Sequence, residues 1–382
     1  MANYDYEIVN GRKIRVRPKE TVSEIDKNGY FRRQPNHFTT PFGDGENDLK
    51  AEGNKRYRLV WAKLCHWSNR AAIVRELEGL EDQISVNMVE HAPHEKNLGW
   101  EYVYNENNID PVLGDQFLSE AYYRADDDYQ GRTTVPALID TATGKVVNND
   151  YNWLTTYFEV NFRPWHKKGA PELYPVELRE EIDKMNLWLF DNINNAVYRS
   201  SFSRSNEGHF DGVNTFYAAM DRLEKRLETN RFLFGDYVTD SDIRLYVTLA
   251  RLDIRYTAQL GETKRPLYNY KNLWGYAKEL WEIPAFAHHT DFAAIIRQGR
   301  IAGEEDGFRA STHYDLALPK IDWDAQWKVS TERAYLSSDP THPIYLGNNR
   351  RFDIDPTWYD LGAESPKKEE KETPPSCGCC CG

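Results

Sequence analysis

The chain has 382 residues, enough for two domains with sizeable cores plus an extension, and its 13% aromatic content excludes a mostly disordered protein. Its 48 basic and 60 acidic residues give a net charge of −12, which argues against nucleic acid and anionic membranes as general partners. No apolar run approaches the roughly 20 residues of a membrane span, and MANYDYEIVNGRKIRVRPKE lacks the apolar core of a secretion signal, so the expected location is the cytoplasm.

Residues 1–55 are polar and turn-rich and read as an N-terminal extension. RYRLVWA (56–62) predicts a strand, and SNRAAIVRELEGL a helix that ends at Gly79. ISVNMVEH (84–91) predicts a second strand, 92–114 a long insertion, and DQFLSEAYYRA a helix. TVPALID (134–140), a turn at TATGK, the short strand KVVN and a helix from about Asp150 come next. The order β-α-β-α-β-β-α is that of a thioredoxin-like domain over 56–162. RPWHKKGAPELYP (163–175) reads as a linker, and 176–298 as an all-helical domain whose four long segments carry apolar stripes. Thr239-Asp240-Ser241-Asp242 fits a helix start with Asp242 at the third position. Residues 299–382 lose periodicity and end in a tail, SPKKEEKETPPS and beyond, of disordered composition.

Cysteine usage narrows the chemistry. Four of the five cysteines, Cys377, Cys379, Cys380 and Cys381, lie at the extreme C-terminus, and Cys65 is alone in the preceding 376 residues. That is not the distribution of a secreted disulfide scaffold. A lone cysteine is usually a small buried hydrophobe. Cys65, however, follows a strand and opens a helix, where backbone N–H groups and the positive end of the dipole stabilise a thiolate, with Arg70 about a turn away. Val135-Pro136, at the start of a strand some 70 residues later, is predicted cis in this order, with its backbone open to a ligand.

NGYFRRQPNHF, RYRLVWAKLCHWSNRAAIVRELEGLE, YQGRTTVPALID, VVNND, LYPVELREEIDKMNLWLFDNINNAVY, FLFGDYVTDSDIRLYVTLARLDIRY and YKNLWGYAKELWEIP together resemble the glutathionyl-hydroquinone reductases, the Xi class of omega-like glutathione transferases. The resemblance implies a glutathione transferase fold, usually a homodimer, with glutathione as co-substrate and no required metal. It also implies removal of glutathione from glutathionylated hydroquinones. Cys65 matches the nucleophile, and Trp67, Arg70, Trp100, Val135 and Pro136 match glutathione contacts. Tyr198 and Tyr256 match tyrosines that face the hydroquinone; spacing alone reads both as ordinary aromatic core.

Two departures stand out. The family reads Cys-Pro-Trp-Ala-His-Arg where this chain reads Cys65-His66-Trp67-Ser68-Asn69-Arg70. His66 either assists the thiolate when protonated or points to solvent. The Glu-Ser expected to hold the γ-glutamyl end is Asp150-Tyr151 here, which leaves room for a related low-molecular-weight thiol. The tail SCGCCCG could hold a soft metal, resolve a mixed disulfide on Cys65, or be incidental. Two other functions fit the same residues: an omega-type dehydroascorbate or disulfide reductase using Cys65, and a non-catalytic binding module.

Overall fold

The structure, a computed structural model, describes residues 4–17, 23–91, 98–261, 265–296, 322–337, 344 and 353–354. The stretch 365–382, with its four cysteines, lies outside them.

A four-stranded sheet organises the first half. Its strands are β3 (Tyr57–Trp61), β4 (Ile84–Met88), β7 (Ala137–Asp140) and β8 (Lys145–Asn148), in the order β4-β3-β7-β8. β3 runs parallel to β4, with Leu59 opposite Val86, and antiparallel to β7, with Leu59 opposite Leu138. Both faces of β3 are covered, so all five residues are buried and its sequence is a continuous run. The period of two still sorts the core. Leu59 and Leu138 face the helical side, while Val60, Ala137 and Ile139 face helix α2 (Leu118–Ala125).

Helix α1 (His66–Leu77) crosses from β3 to β4 and is buried nearly all round, because the sheet lies on one side and helix α7 (Asp240–Arg251) on the other. It stops at Gly79 in the left-handed region (φ +73), where an added Cβ would sit 2.5 Å from that of Lys167. The strand expected over 84–91 breaks at Val89. Glu90–His91 (β5) instead pairs with Trp100–Glu101 (β6) in a separate ribbon. The helix expected from Asp150 begins later, at α3 (Leu154–Val160), after a turn in which Asp150 Oδ1 accepts from Asn152 N.

The helical half contains α4 (Arg179–Leu189), α5 (Ala196–Phe202), α6 (Asn206–Arg226), α7, α8 (Thr257–Gln259), α9 (Lys271–Trp281) and α10 (Pro284–His288). Thr239 and Asp242 form the expected capping box on α7, with Thr239 N donating to Asp242 Oδ2 at 2.8 Å. Two segments that read as unbroken helices contain π turns, at Phe190–Asn194 and Leu252–Tyr256. Each adds a residue to the helical count and so rotates the next helical turn about the axis.

The N-terminal segment is no loose extension. Tyr6–Val9 (β1) and Arg12–Arg15 (β2) form a hairpin, and residues 23–50 run across the junction of the two halves. Gly29 (φ +81) docks there: Arg204 N donates to its carbonyl at 2.6 Å, and a Cβ would lie 2.9 Å from Ser205 N. Part of the late region also returns to the helical core. Trp327, on α11 (Trp323–Trp327), is buried against Trp274, Tyr246 and Phe292.

Candidate active site

Cys65 is the N-cap of α1, in extended conformation (φ −79, ψ 115), and is half-buried. Ser68 Oγ, folded back to accept from Ala62 N at 3.1 Å, fixes the turn that presents it. The Cys65 thiol donates to Val135 O at 3.6 Å, and the Val135–Pro136 bond is cis, as expected. That is the thiol's single polar contact among the described residues. It leaves the sulfur at a helix N-terminus, where unpaired N–H groups favour an anion.

Beside it stands an aromatic cage. The Trp67 ring lies 4.8 Å from Tyr151, 5.5 Å from Phe190 and 5.9 Å from Tyr198. Tyr198 in turn stacks towards Phe31 at 6.4 Å. Burial raises the pKa of both Tyr198 and Tyr256, with the Cys65 charge adding to the effect on each, so both hydroxyls are protonated neighbours of the sulfur. Spacing alone left these two tyrosines as core; the fold brings them to the cysteine.

His66 does neither of the two things its sequence suggested. It is fully buried, with Nδ1 3.0 Å from Tyr256 Oη and 3.2 Å from Thr248 Oγ1. Burial first, then Arg251, Arg33, Arg70 and Arg255, hold its pKa well below the usual value, so the imidazole is neutral. The reason is topological. The first turn of α1 is sandwiched against α7, so the residue after Cys65 turns inward. There it carries a ring-nitrogen contact to Tyr256, which the family's proline lacks.

The other expected residues divide between near and far. Arg70 is buried, its pKa lowered to about 9 by burial and then by Arg244, with Asp240, Glu159 and Asp150 raising it. It forms no ion pair or hydrogen bond with the sulfur. Asp150 is buried; its Oδ1 accepts from Asn36 Nδ2 at 3.0 Å and from Asn152 N at 2.9 Å. Tyr151 belongs to the cage. Trp100 stacks on His91 at 4.0 Å, within the core cluster that contains Val135 and against which Cys65 packs.

Sequence reasoning missed three arginines. Arg33 lays its guanidinium over Trp67 at 4.7 Å and Tyr198 at 4.4 Å. Arg251, fully buried, donates to Leu64 O (2.7 Å), Lys63 O (2.7 Å), Val247 O (2.8 Å) and Asn69 Oδ1 (3.1 Å). It thereby clamps the Cys65 approach to α7 and sets a positive charge close enough to attract the thiolate. Arg255 precedes Tyr256 in the π turn. All three lie inside stretches already matched to the family, which was the available signal. Among the described residues, no group of three or more His, Cys, Asp and Glu could hold a metal ion.

A cysteine at the head of the first helix of a thioredoxin-type sheet, opening on an all-helical domain, defines a cysteine-type glutathione transferase architecture. Residues 197–279 match the family model "Glutathione S-transferase, C-terminal domain". The chain is 34% identical over 280 residues to glutathione S-transferase omega-like 2 of Schizosaccharomyces pombe, covering 70% of this chain and 88% of that protein. It is 33% identical over 240 residues to glutathionyl-hydroquinone reductase YqjG of Escherichia coli, covering 63% and 73%. Among solved structures, the Xi glutathione transferase of Phanerochaete chrysosporium superposes with a TM-score of 0.64 at 33% identity, covering 71% of this chain and 87% of that one. The chain belongs to the glutathione transferase superfamily, in the Xi-class group that includes the glutathionyl-hydroquinone reductases.

Proposed function

We propose that this enzyme uses Cys65 to strip glutathione from glutathionylated hydroquinone-like aromatics. The observation that carries the reading is the placement of Cys65 at a helix N-terminus, 3.6 Å from Val135 O, beside a cage of Trp67, Tyr151, Phe190 and Tyr198. The sheet half offers a peptide thiol backbone contacts, and the helical half offers an aromatic ring flat faces and hydroxyls.

The Cys65 thiolate attacks the glutathionyl sulfur. The aryl carbon–sulfur bond breaks as the Cys65–glutathione disulfide forms; the sulfur atoms are oxidised and the ring carbon, taking a proton, is reduced to hydroquinone. A second glutathione thiolate then attacks the mixed disulfide, giving glutathione disulfide and free Cys65. Tyr198 and Tyr256 are the protonated hydroxyls placed to serve the ring. Trp67, Trp100, Val135, Pro136, Asp150 and Tyr151 bound the glutathione side, and Arg70 supports it from within the core. Glutathione is the favoured thiol, a cytoplasmic homodimer the favoured setting.

The test is turnover of a glutathionyl-hydroquinone in the presence of glutathione. The expected products are hydroquinone and glutathione disulfide in equal amounts. Inactivity on the aryl thioether with brisk reduction of dehydroascorbate would move the chain to the omega-type reductases.

A further inference from the structure

Three of the chain's buried arginines pair with carboxylates. Arg58 meets Asp110 at 2.8 Å, Arg231 meets Glu279 at 2.6 Å and Arg244 meets Asp240 at 2.5 Å. Such pairing is expected, since an uncompensated charge away from water is costly. Two half-buried arginines beside the aromatic cage have no carboxylate partner among the described residues. Arg33 donates from Nε to Asn195 Oδ1 at 3.1 Å, while its Nη2 is buried without a hydrogen-bond partner. Arg255 has both Nε and Nη1 buried without one. Neither forms an ion pair among the described residues. Glu24, the carboxylate whose charge acts with Arg33, is committed to Arg132 at 2.8 Å and to Gln34 N.

Both guanidiniums act on the Tyr198 hydroxyl, and both act on His66, where the neighbouring charges are arginines. The surroundings of Tyr198 are therefore cationic and aromatic, with guanidinium nitrogens that have no hydrogen-bond partner among the described residues. These donors come from the N-terminal segment and the helical half, whereas Val135 and Asp150, on the expected glutathione side, belong to the sheet half.

We propose that Arg33 and Arg255 form an anion subsite beside Tyr198, and that the aromatic group removed from glutathione carries a carboxylate. A planar guanidinium offers a carboxylate two parallel N–H donors. The inference rests on the aryl-thioether reading above and narrows its substrate to hydroxylated benzoates.

The experiment compares two glutathione thioethers that differ by one ring carboxylate, glutathionyl-hydroquinone and glutathionyl-dihydroxybenzoate. For the wild type, kcat/KM should favour the carboxylated substrate by about 10- to 100-fold, mainly through KM. In Arg255→Met the ratio should fall towards one; Arg255→Lys should keep part of it, and Arg33→Met should lower it. Equal rates in the wild type, or a preference for the uncharged thioether, overturn the proposal. So does an Arg255→Met loss that is equal on both substrates, which would assign the arginine to a glutathione carboxylate. Binding of free dihydroxybenzoate and free hydroquinone to Cys65→Ser protein, read by calorimetry, tests the subsite without turnover. Tighter dihydroxybenzoate binding that needs Arg255 supports it even if the thioether chemistry fails. Equal binding rejects it even if the chemistry holds.

Discussion

The sheet half and the helix half of this site are built from different materials. On the sheet side the groups nearest the sulfur are largely backbone: the N-terminus of α1, the Val135 carbonyl, and a turn closed by Ser68 Oγ on Ala62 N. On the helix side they are side chains, Tyr198, Tyr256 and Arg251, and Tyr256 sits in a π turn. Backbone chemistry tolerates sequence change, because a helix N-terminus works whatever residue comes after it. Side-chain chemistry does not. This chain's departures accordingly bear on the side-chain partners of the site: His66 on Tyr256, Tyr151 on Trp67.

Removing the group shared by both halves has the largest expected effect. Cys65→Ser keeps the shape and loses the thiolate, so thiol exchange should fall by roughly 10³-fold or more with an unchanged circular dichroism spectrum. Substantial residual turnover would place the nucleophile elsewhere.

Arg251→Met separates the halves. It strips donors from three backbone carbonyls, those of Lys63, Leu64 and Val247, and should cost about 3 kcal/mol of stability in urea melts. Because the clamp lies just before Cys65, alkylation of Cys65 by iodoacetamide should also slow at fixed pH. A stable variant with normal Cys65 reactivity would mean the halves are held together without it.

Asp150→Glu with Tyr151→Ser sharpens the comparison from the sheet side. The longer carboxylate reaches past the Asn36 contact and the smaller side chain opens space beside Trp67, so glutathione should bind about 10-fold tighter by calorimetry. Unchanged affinity would show that another thiol, or another grip, is used.

His66→Phe probes the helix side with the smallest effect. The ring packing is kept while Tyr256 Oη loses its nitrogen partner, so kcat/KM should fall about 5-fold, and His66→Gln should recover part of it. The sign of the pH effect comes from the burial of His66. A histidine whose pKa is pushed well below its usual value is already neutral near pH 6 and above. The variant should therefore keep the wild-type pH profile between roughly pH 6 and 8. Loss of an inflection in that range would restore a protonated His66.

The parts legible in the sequence were those set by local pattern. The buried run YRLVW, the α1 periodicity, the Thr239–Asp242 cap and the Cys65 position each arise from neighbours a few residues apart. The features that escaped depend on long-range placement. Nothing local says that Arg33 lies on Trp67 and Tyr198, or that His66 turns towards Tyr256, 190 residues away. The π turns escaped because one added residue in a long apolar stripe leaves the pattern looking helical while rotating Tyr256 and the residues after it. Resemblance to the family, not periodicity, picked out Tyr198 and Tyr256.

The central claim is that Cys65 takes the glutathionyl group directly from the aromatic ring. One equivalent of glutathionyl-hydroquinone, added to the full chain without free glutathione and quenched with acid, isolates that step. Peptide mass mapping should find hydroquinone released in proportion to a glutathionyl group on the Cys65 peptide. Hydroquinone release with Cys65 unmodified, or with the adduct appearing first on Cys377, Cys379, Cys380 or Cys381, would contradict the account.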